Sequence, residues 1–497
     1  MRWHKGIYVM AALLVLFSCK KDNTPKVLTA DERQVLTLDS IYLYAQQIYL
    51  WNDALPDIKA FNTQQYKNAS APLAGYAKEV LAISQLKINP ATGMPYEKGG
   101  LNNVAKYSYI TNAIENGAQQ AAVSLNDTGD DYGLLLAEYG TNDVRVAMVS
   151  PGSPAAAAGM QRGDRILTVN GTSVTTGTNT LNQALNANAI QLGLQATNGN
   201  HLVNLSKATY ASSPVLKDAI FTEGNAKVGY LALARFSVLS QMQSAVTASF
   251  QNFEKESVSS LIVDLRYNGG GYVESAEYLA DLIAPASLQG KVSYAEHFNT
   301  QMQQGQATIL KNQPYRDSNG KPVYSNGKMV TYADVDFSVK ANTHTFNKKG
   351  SLQSVKQLYF IVSPNTASAA ELLINIFKPY FDVKLIGTTT YGKPVGFFPL
   401  SIDSYSLYLS NFQIKNASGE GDYYSGMPAT NEVYDDVTHN FGDTQEACLA
   451  TALALISGQS ASITALRTRA VTGTQPLKLI SSKALTGEMT ENRFNLK

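Results

Sequence analysis

The chain has 497 residues, 44% hydrophobic and 16% charged, with a formal net charge of +1. This is globular composition and excludes a disordered chain. A near-neutral balance with no long basic run excludes a nucleic-acid binder. At this length about three domains are expected. No Cys/His cluster has metal-ligand spacing, so no metal or other cofactor is expected.

Arg2, His4 and Lys5 precede an apolar run from Ile7 to Phe17. A charged segment followed by an apolar run too short to span a bilayer reads as an export signal over residues 1–18. Its end, Leu16-Phe17-Ser18-Cys19, resembles a bacterial lipobox. That resemblance implies lipidation of Cys19, a membrane anchor and a place in the cell envelope, facing the periplasm or on the outer-membrane surface. The alternative is an ordinary signal peptide with an incidental Cys19. Residues 19–29 read as a polar tether. The second cysteine, Cys448, falls in a predicted helix and reads as a small core residue.

Residues 30–126 are expected to form a helical domain. "LDSIYLYAQQIYLW" places Leu38, Ile41, Tyr42, Tyr44, Ile48 and Tyr49 on an apolar face at helical spacing. "GYAKEVLAISQL" predicts a second helix and Tyr107–Ile114 a third. From 127 to 208 the pattern changes to short strands. "YGLLLAEY" and "DVRVAMV" are followed by the short Ala-rich helix of "SPAAAAGMQRGDRILTVNG" and then another strand. This order resembles a PDZ domain. The resemblance implies that Gly133, Leu134, Leu135 and Leu136 form the loop and strand that receive a peptide's C-terminal carboxylate, the peptide adding a strand.

Residues 209–456 alternate buried-strand runs ("VGYLAL", "SLIVDL", "QLYFIV", "DVKLIG") with helical runs ("VESAEYLADLI", "AAELLINIF"), an α/β core interrupted by a polar insertion at about 289–349. The tail, 457–497, is Ser/Thr-rich and expected to be largely without fixed structure. The whole is therefore expected to be a multidomain α+β chain.

Strand Leu358–Val362, helix Ala369–Phe377 and strand Val383–Gly387 make a βαβ unit, whose right-handed crossover sets the strands parallel. Ser368 in "SPNTASAAE" follows the first strand, and Lys393 in "TTTYGKPVG" follows the second. Both reach the carboxyl edge of the sheet, where open α/β sheets bind ligands. Ser-x-x-Glu is also a capping box, so Ser368 caps a helix whether or not it reacts. The strand Leu261–Leu265 sends "RYNGGG" to the same edge. These loops hold a hydroxyl, an amine that burial could leave neutral, and N–H donors from Ala369 and from Gly269 or Gly270, the parts of an acyl-transfer site. None of the five histidines lies in these loops, and His439 is the nearest in chain order. Asp264 and Arg266 read as an ion pair with neighbouring charges.

"TASAAE", "GTTTYGKPVG" and "LIVDLRYNGGG", preceded by a PDZ-like segment, together resemble the C-terminal processing peptidases, the S41 family of serine proteases. The resemblance implies a core of the ββα-spiral (crotonase/ClpP-like) kind. It also implies a Ser–Lys dyad, with Ser368 as nucleophile, Lys393 as general base and Gly269, Gly270 and Ala369 at the oxyanion hole, acting on protein or peptide substrates. One position departs: many members carry a glutamine four residues after the lysine, where this chain has Phe397. The alternative is therefore a weakly active or inactive relative that binds peptides in the envelope.

Overall fold

The structure, a computed structural model, describes residues 27–98, 104–112, 123–177, 179–196, 199–317, 321–458, 477–480, 489–491 and 493–497. The leader and Cys19 lie outside the described residues.

Helix α1 (Ala30–Ile48) begins with a complete capping box: the Glu32 N–H donates to Thr29 Oγ1 at 3.1 Å and the Thr29 N–H to Glu32 Oε2 at 3.0 Å. It buries Leu38, Ile41, Tyr42, Ala45 and Ile48, the i, i+3, i+4, i+7 stripe of an amphipathic helix. Helix α2 (Pro72–Ser84) starts with proline at its first turn, where a missing N–H costs nothing. Of the third expected helix, Tyr107–Ile114, the described residues 107–112 form no helix. Tyr109–Asn112 is instead a strand, β1, aligned antiparallel with Tyr405–Tyr408. An aromatic and β-branched stretch, Tyr-Ile-Thr, suits a pleated surface better than a helix. Leu38, Ile41, Tyr42 and Ile48 of this helical region share one apolar core with Leu261, Phe360, Leu372 and Phe412.

The next unit is a sheet built from β2 (Leu134–Gly140), β3 (Asp143–Val149), β4 (Arg165–Val169), β5 (Ala189–Ala196) and β6 (Gly199–Ser206), with helix α3 (Asn179–Asn186) between β4 and β5. The strands are ordered β6-β5-β4-β3-β2, over a core of Leu134, Leu136, Val144, Ile166, Leu181, Leu185 and Leu192.

The third unit carries the main sheet. β7 (Val215–Glu223) and β8 (Ala226–Leu233) form a hairpin, helix α4 (Leu239–Lys255) crosses over, and β9 (Ser260–Asp264) lies parallel to β8. β10 (Gly271–Tyr272) and helix α5 (Val273–Ile283) follow. β11 (Gln357–Val362), helix α6 (Ala369–Phe377) and β12 (Lys384–Gly387) complete the βαβ unit. β9 pairs with β11 and β11 with β12, all parallel, so the carboxyl ends of three adjacent strands share one edge as expected. Every residue of α6 is buried. Helix α7 (Ala447–Ile456) packs on the far face, with Cys448 buried beside Val433 and Tyr359. The insertion does more than cover the core, since Tyr294, Phe298, Tyr332, Phe337 and Phe346 enter it. No described helix is long and apolar enough to cross a membrane.

Two short strands lie among the described residues of the tail. β13 (Lys478–Ile480) extends the second unit's sheet by pairing with β2, and β14 (Met489–Thr490) pairs with β10. Alternating Leu477, Leu479 and a buried Ile480 supply apolar area that the Ser/Thr-rich composition around them hides.

Candidate active site

Three loops meet at the carboxyl edge, and their backbones are stitched together. After β11, Thr366 Oγ1 accepts from the Ser363 N–H at 3.0 Å and donates to Leu265 O at 2.8 Å. Ser363 Oγ donates to Arg266 O. The Ala367 N–H donates to Asn268 O at 3.1 Å, and the Tyr391 N–H donates to Thr366 O at 3.0 Å. The serine turn is thus fixed on one side to the glycine turn and on the other to the lysine loop.

At the end of that turn Ser368 adopts φ 63° and ψ −119°, a region a non-glycine residue occupies only under constraint. Its hydroxyl is buried and has no hydrogen-bond partner among the described residues. The expected capping box is in place around Ser368 and Glu371, but its hydroxyl arm is too loose to make a hydrogen bond. The Glu371 carboxylate accepts from the Ser368 N–H at 3.0 Å, while the hydroxyl is left over.

Glu371 also fixes the lysine loop. Its Oε2 accepts from the Lys393 N–H at 2.8 Å, and its Oε1 accepts from the Gly392 N–H at 2.7 Å and from Thr390 Oγ1 at 2.5 Å. One carboxylate oxygen joins the Ser368 and Lys393 backbones. Burial pushes this carboxyl upward, opposed by the hydrogen bonds from Thr390, Lys393, Gly392 and Ser368. Gly392 has φ +85°, and a Cβ there would lie 2.4 Å from Gly426 N, so only glycine fits.

Lys393 is 3% exposed. Its Nζ lies 4.5 Å from the centre of the Phe397 ring, which is itself wedged edge-on against Tyr109 and Tyr408. Tyr107 OH donates to Gly392 O. Lys106 Nζ donates to Tyr424 O at 2.7 Å, and Tyr391 OH donates to Lys106 O at 3.1 Å. Behind them the fully buried Glu97 accepts from Tyr49 OH, the Tyr107 N–H, the Ser108 N–H and hydroxyl, and Ser410 Oγ, at 2.7 to 3.2 Å. The N-terminal region, in which the sequence shows no chemistry, clamps the lysine loop.

Among the glycine-turn donors, the Gly270 N–H is committed to Asn268 Oδ1 at 2.9 Å. The Gly269 N–H and the Ala369 N–H, at the first position of α6, have no partner among the described residues. His439 is engaged elsewhere, its Nδ1 2.7 Å from Asp436 Oδ2. Asn411, which folding could have brought to the lysine, instead accepts from the Phe398 N–H at 3.0 Å, and Asn365 turns back on Ser363. Asp264 and Arg266 are structural: the buried guanidinium is shared among Asp264, Glu446 and Asp435 at 2.6 to 2.9 Å.

In the second unit Gly133 has φ +75°, and a Cβ there would strike Ser153 at 2.1 Å. Its N–H donates to Asp131 Oδ1 at 2.7 Å. Leu134, Leu135 and Leu136 follow as the buried start of β2.

Residues 227–421 match peptidase family S41, and residues 145–189 match a PDZ domain. The chain thus carries a peptidase family S41 domain preceded by a PDZ domain. The family is one of serine-type peptidases. The chain is 27% identical over 286 residues to the carboxy-terminal processing protease CtpB of Bacillus subtilis, covering 56% of this chain and 49% of that protein. It is 24% identical over 403 residues to the carboxyl-terminal-processing protease of Synechocystis, covering 78% and 76%. The chain thus spans about half the length of the Bacillus relative. The crystal structure of a protein described as an S41 protease from Bacteroides fragilis superposes with a TM-score of 0.58 at 24% identity, covering 85% of this chain and 97% of the other. That likeness supports the mixed helix and strand fold expected from the motifs.

Proposed function

We propose that the S41 chain is a serine endopeptidase acting through Ser368 and Lys393, on protein or peptide substrates whose C-termini the PDZ domain receives. We infer further that it is exported and held in a bacterial envelope by a lipid on Cys19. The observation that carries the catalytic reading is the Glu371 carboxylate. It ties the backbone of a strained serine, whose buried hydroxyl lacks a partner, to the backbone of a buried lysine.

In this reading the neutral Lys393 amine takes the proton of Ser368 Oγ as the oxygen attacks the scissile carbonyl. The Gly269 and Ala369 N–H groups then receive the oxyanion, and the lysine ammonium protonates the departing amine. Water, deprotonated by the same amine, releases the acyl group from Ser368. Gly270 contributes through the shape of the turn, its own N–H being used within it. The names of the relatives support cleavage near substrate C-termini.

Phe397 favours a second reading, a weakly active or inactive peptide binder, because an aromatic face stabilises the ammonium form that cannot act as a base. Labelling with a serine-directed acylating probe, together with cleavage of an unfolded protein, separates the two. The parent is expected to label and cleave, Ser368→Ala to do neither, and Lys393→Arg, which keeps the charge but offers no neutral amine, to lose activity by a factor of at least about 100. A parent chain that neither labels nor cleaves from pH 6 to 10 supports the binder instead.

A further inference from the structure

The strand on which a PDZ domain would take up a peptide is β2, and its outer edge is already occupied. β13 lies antiparallel to it, with Ile480 opposite Leu136, Leu479 opposite Ala137 and Lys478 opposite Glu138. It runs toward Gly133, the direction in which an added C-terminal strand would carry its carboxylate to the loop. Its side chains alternate as a bound peptide's would. Lys478 Nζ reaches Glu138 Oε1 and Oε2 at 3.2 and 3.3 Å, and Ile480, 8% exposed, joins the core cluster that includes Leu136, Leu181 and Leu185. On the other face Leu477 and Leu479 pack into the cluster of Leu135, Ala137 and Met148, which also holds Tyr267 and Val437 of the peptidase core.

The same tail is fastened further on. β14 pairs with Gly271–Tyr272, immediately after the Gly269–Gly270 turn. A Cβ at Gly271 would lie 2.0 Å from Phe236 O, so only glycine lets this stretch lie so close to the Phe236 backbone. Beyond it Phe494 is buried, the Asp336 N–H donates to Asn495 O at 2.8 Å, and the Lys497 N–H donates to Asp334 O at 2.9 Å.

We propose that Leu477–Ile480 is a built-in ligand for the peptide-acceptor edge, so that a substrate's C-terminal strand pairs with Leu134–Glu138 only by displacing it. This rests on the PDZ reading above. A strand tethered to the same chain competes at an effective concentration on the order of millimolar. Only peptides that pair better than Leu-Lys-Leu-Ile, or that also offer the free carboxylate an internal segment lacks, open the edge. Among the described residues the tail's next anchor is on β10, beside the turn that carries Gly269.

The test uses a fluorescent peptide with an apolar last residue and a free carboxylate, titrated into the full chain. The variant Leu477→Ser/Leu479→Ser/Ile480→Ser, which leaves Phe494 and the end of the tail in place, is expected to bind it at least tenfold more tightly than the parent. Equal, measurable affinities overturn the proposal while leaving peptide recognition standing. Binding by neither form overturns peptide recognition, and the proposal with it. Glu138→Cys/Lys478→Cys provides a second arm, because facing Cα atoms of an antiparallel pair lie about 4.5–5.5 Å apart, within disulfide reach. Oxidation is expected to abolish peptide binding and reduction to restore it. An oxidised form that binds as well as the reduced one shows that tail and peptide do not share the edge.

Discussion

The φ of 63° at Ser368 costs a residue with a Cβ roughly 1–3 kcal/mol, and it persists because its neighbours are over-determined. The turn is held by Thr366, the N–H by Glu371 and the next loop by the Tyr391 N–H. The juxtaposition of Ser368 and Lys393 is legible in sequence because a βαβ unit has one handedness. The reach of Glu371 across to Lys393 is not, since a carboxylate three residues after a serine reads as a cap and nothing local says that the capping oxygen also accepts from a backbone 22 residues further on. Tyr107 is harder still, its hydroxyl meeting Gly392 across 285 residues of chain. Phe397 marks the departure from the family pattern, and the structure shows its ring 4.5 Å from Lys393 Nζ. A cation held against an aromatic face gains about 0.5–1 kcal/mol or more, and about 1.4 kcal/mol corresponds to one pH unit. Phe397→Leu, which keeps the site apolar but removes the ring, should therefore move the acid limb of the kcat/KM profile down by about half a unit or more. Thermal unfolding near the parent's temperature would show that the change is not one of folding.

At the scale of elements, strands and helices with strong periodicity fall where their patterns put them, with strand ends shifted by one or two residues and the ends of α1 and α2 by several. β1 breaks the rule because a four-residue segment takes its structure from its partner, here Tyr405–Tyr408, rather than from its own propensity. The packing of α2 against α1 holds a charge problem that no pattern announces. Glu79 is fully buried, neither carboxylate oxygen has a partner among the described residues, and burial, reinforced by Asp39, pushes it up to about 9. The unfolded chain gives up this proton near 4.5 and the folded chain near 9. The stability tied to the group is therefore complete below about pH 4.5 and is lost as the pH rises through about 9. Calorimetry on Glu79→Gln should find a Tm that falls less between pH 5 and pH 8.5 than the parent's, with the variant the more stable of the two at the alkaline end.

The whole molecule is tied together by one buried charge network. Arg162 of the PDZ domain donates to Asp435 at 2.6 Å, to Tyr267 OH at 2.8 Å and to Ala147 O at 2.7 Å. Asp435 in turn meets Arg266, which closes on Glu446 at the start of α7. Burial alone would raise Asp435, but the two guanidinium groups outweigh it and bring it to about 2. The domain order is legible as shifts in periodicity, whereas what covers each apolar face is not: α1 displays a stripe without saying that the peptidase core lies against it. The proposed attachment to the envelope also belongs to this scale. The mature chain should sediment with membranes, and Cys19→Ala should release it into the soluble fraction with its cleavage activity intact. Sedimentation unchanged by that substitution would remove the lipid anchor. Finally, the pairing of Lys478 with Glu138 spans 340 residues. A ribosome delivers a domain's early strands long before its last ones, and an unpaired strand edge is a template for association with other chains. While the chain is being made, β2 is such an edge, closed only when residues 477–480 have emerged. A chain cut short after α7 would keep every residue of the proposed catalytic site and still leave that edge exposed, so interrupted synthesis is expected to yield an adhesive species.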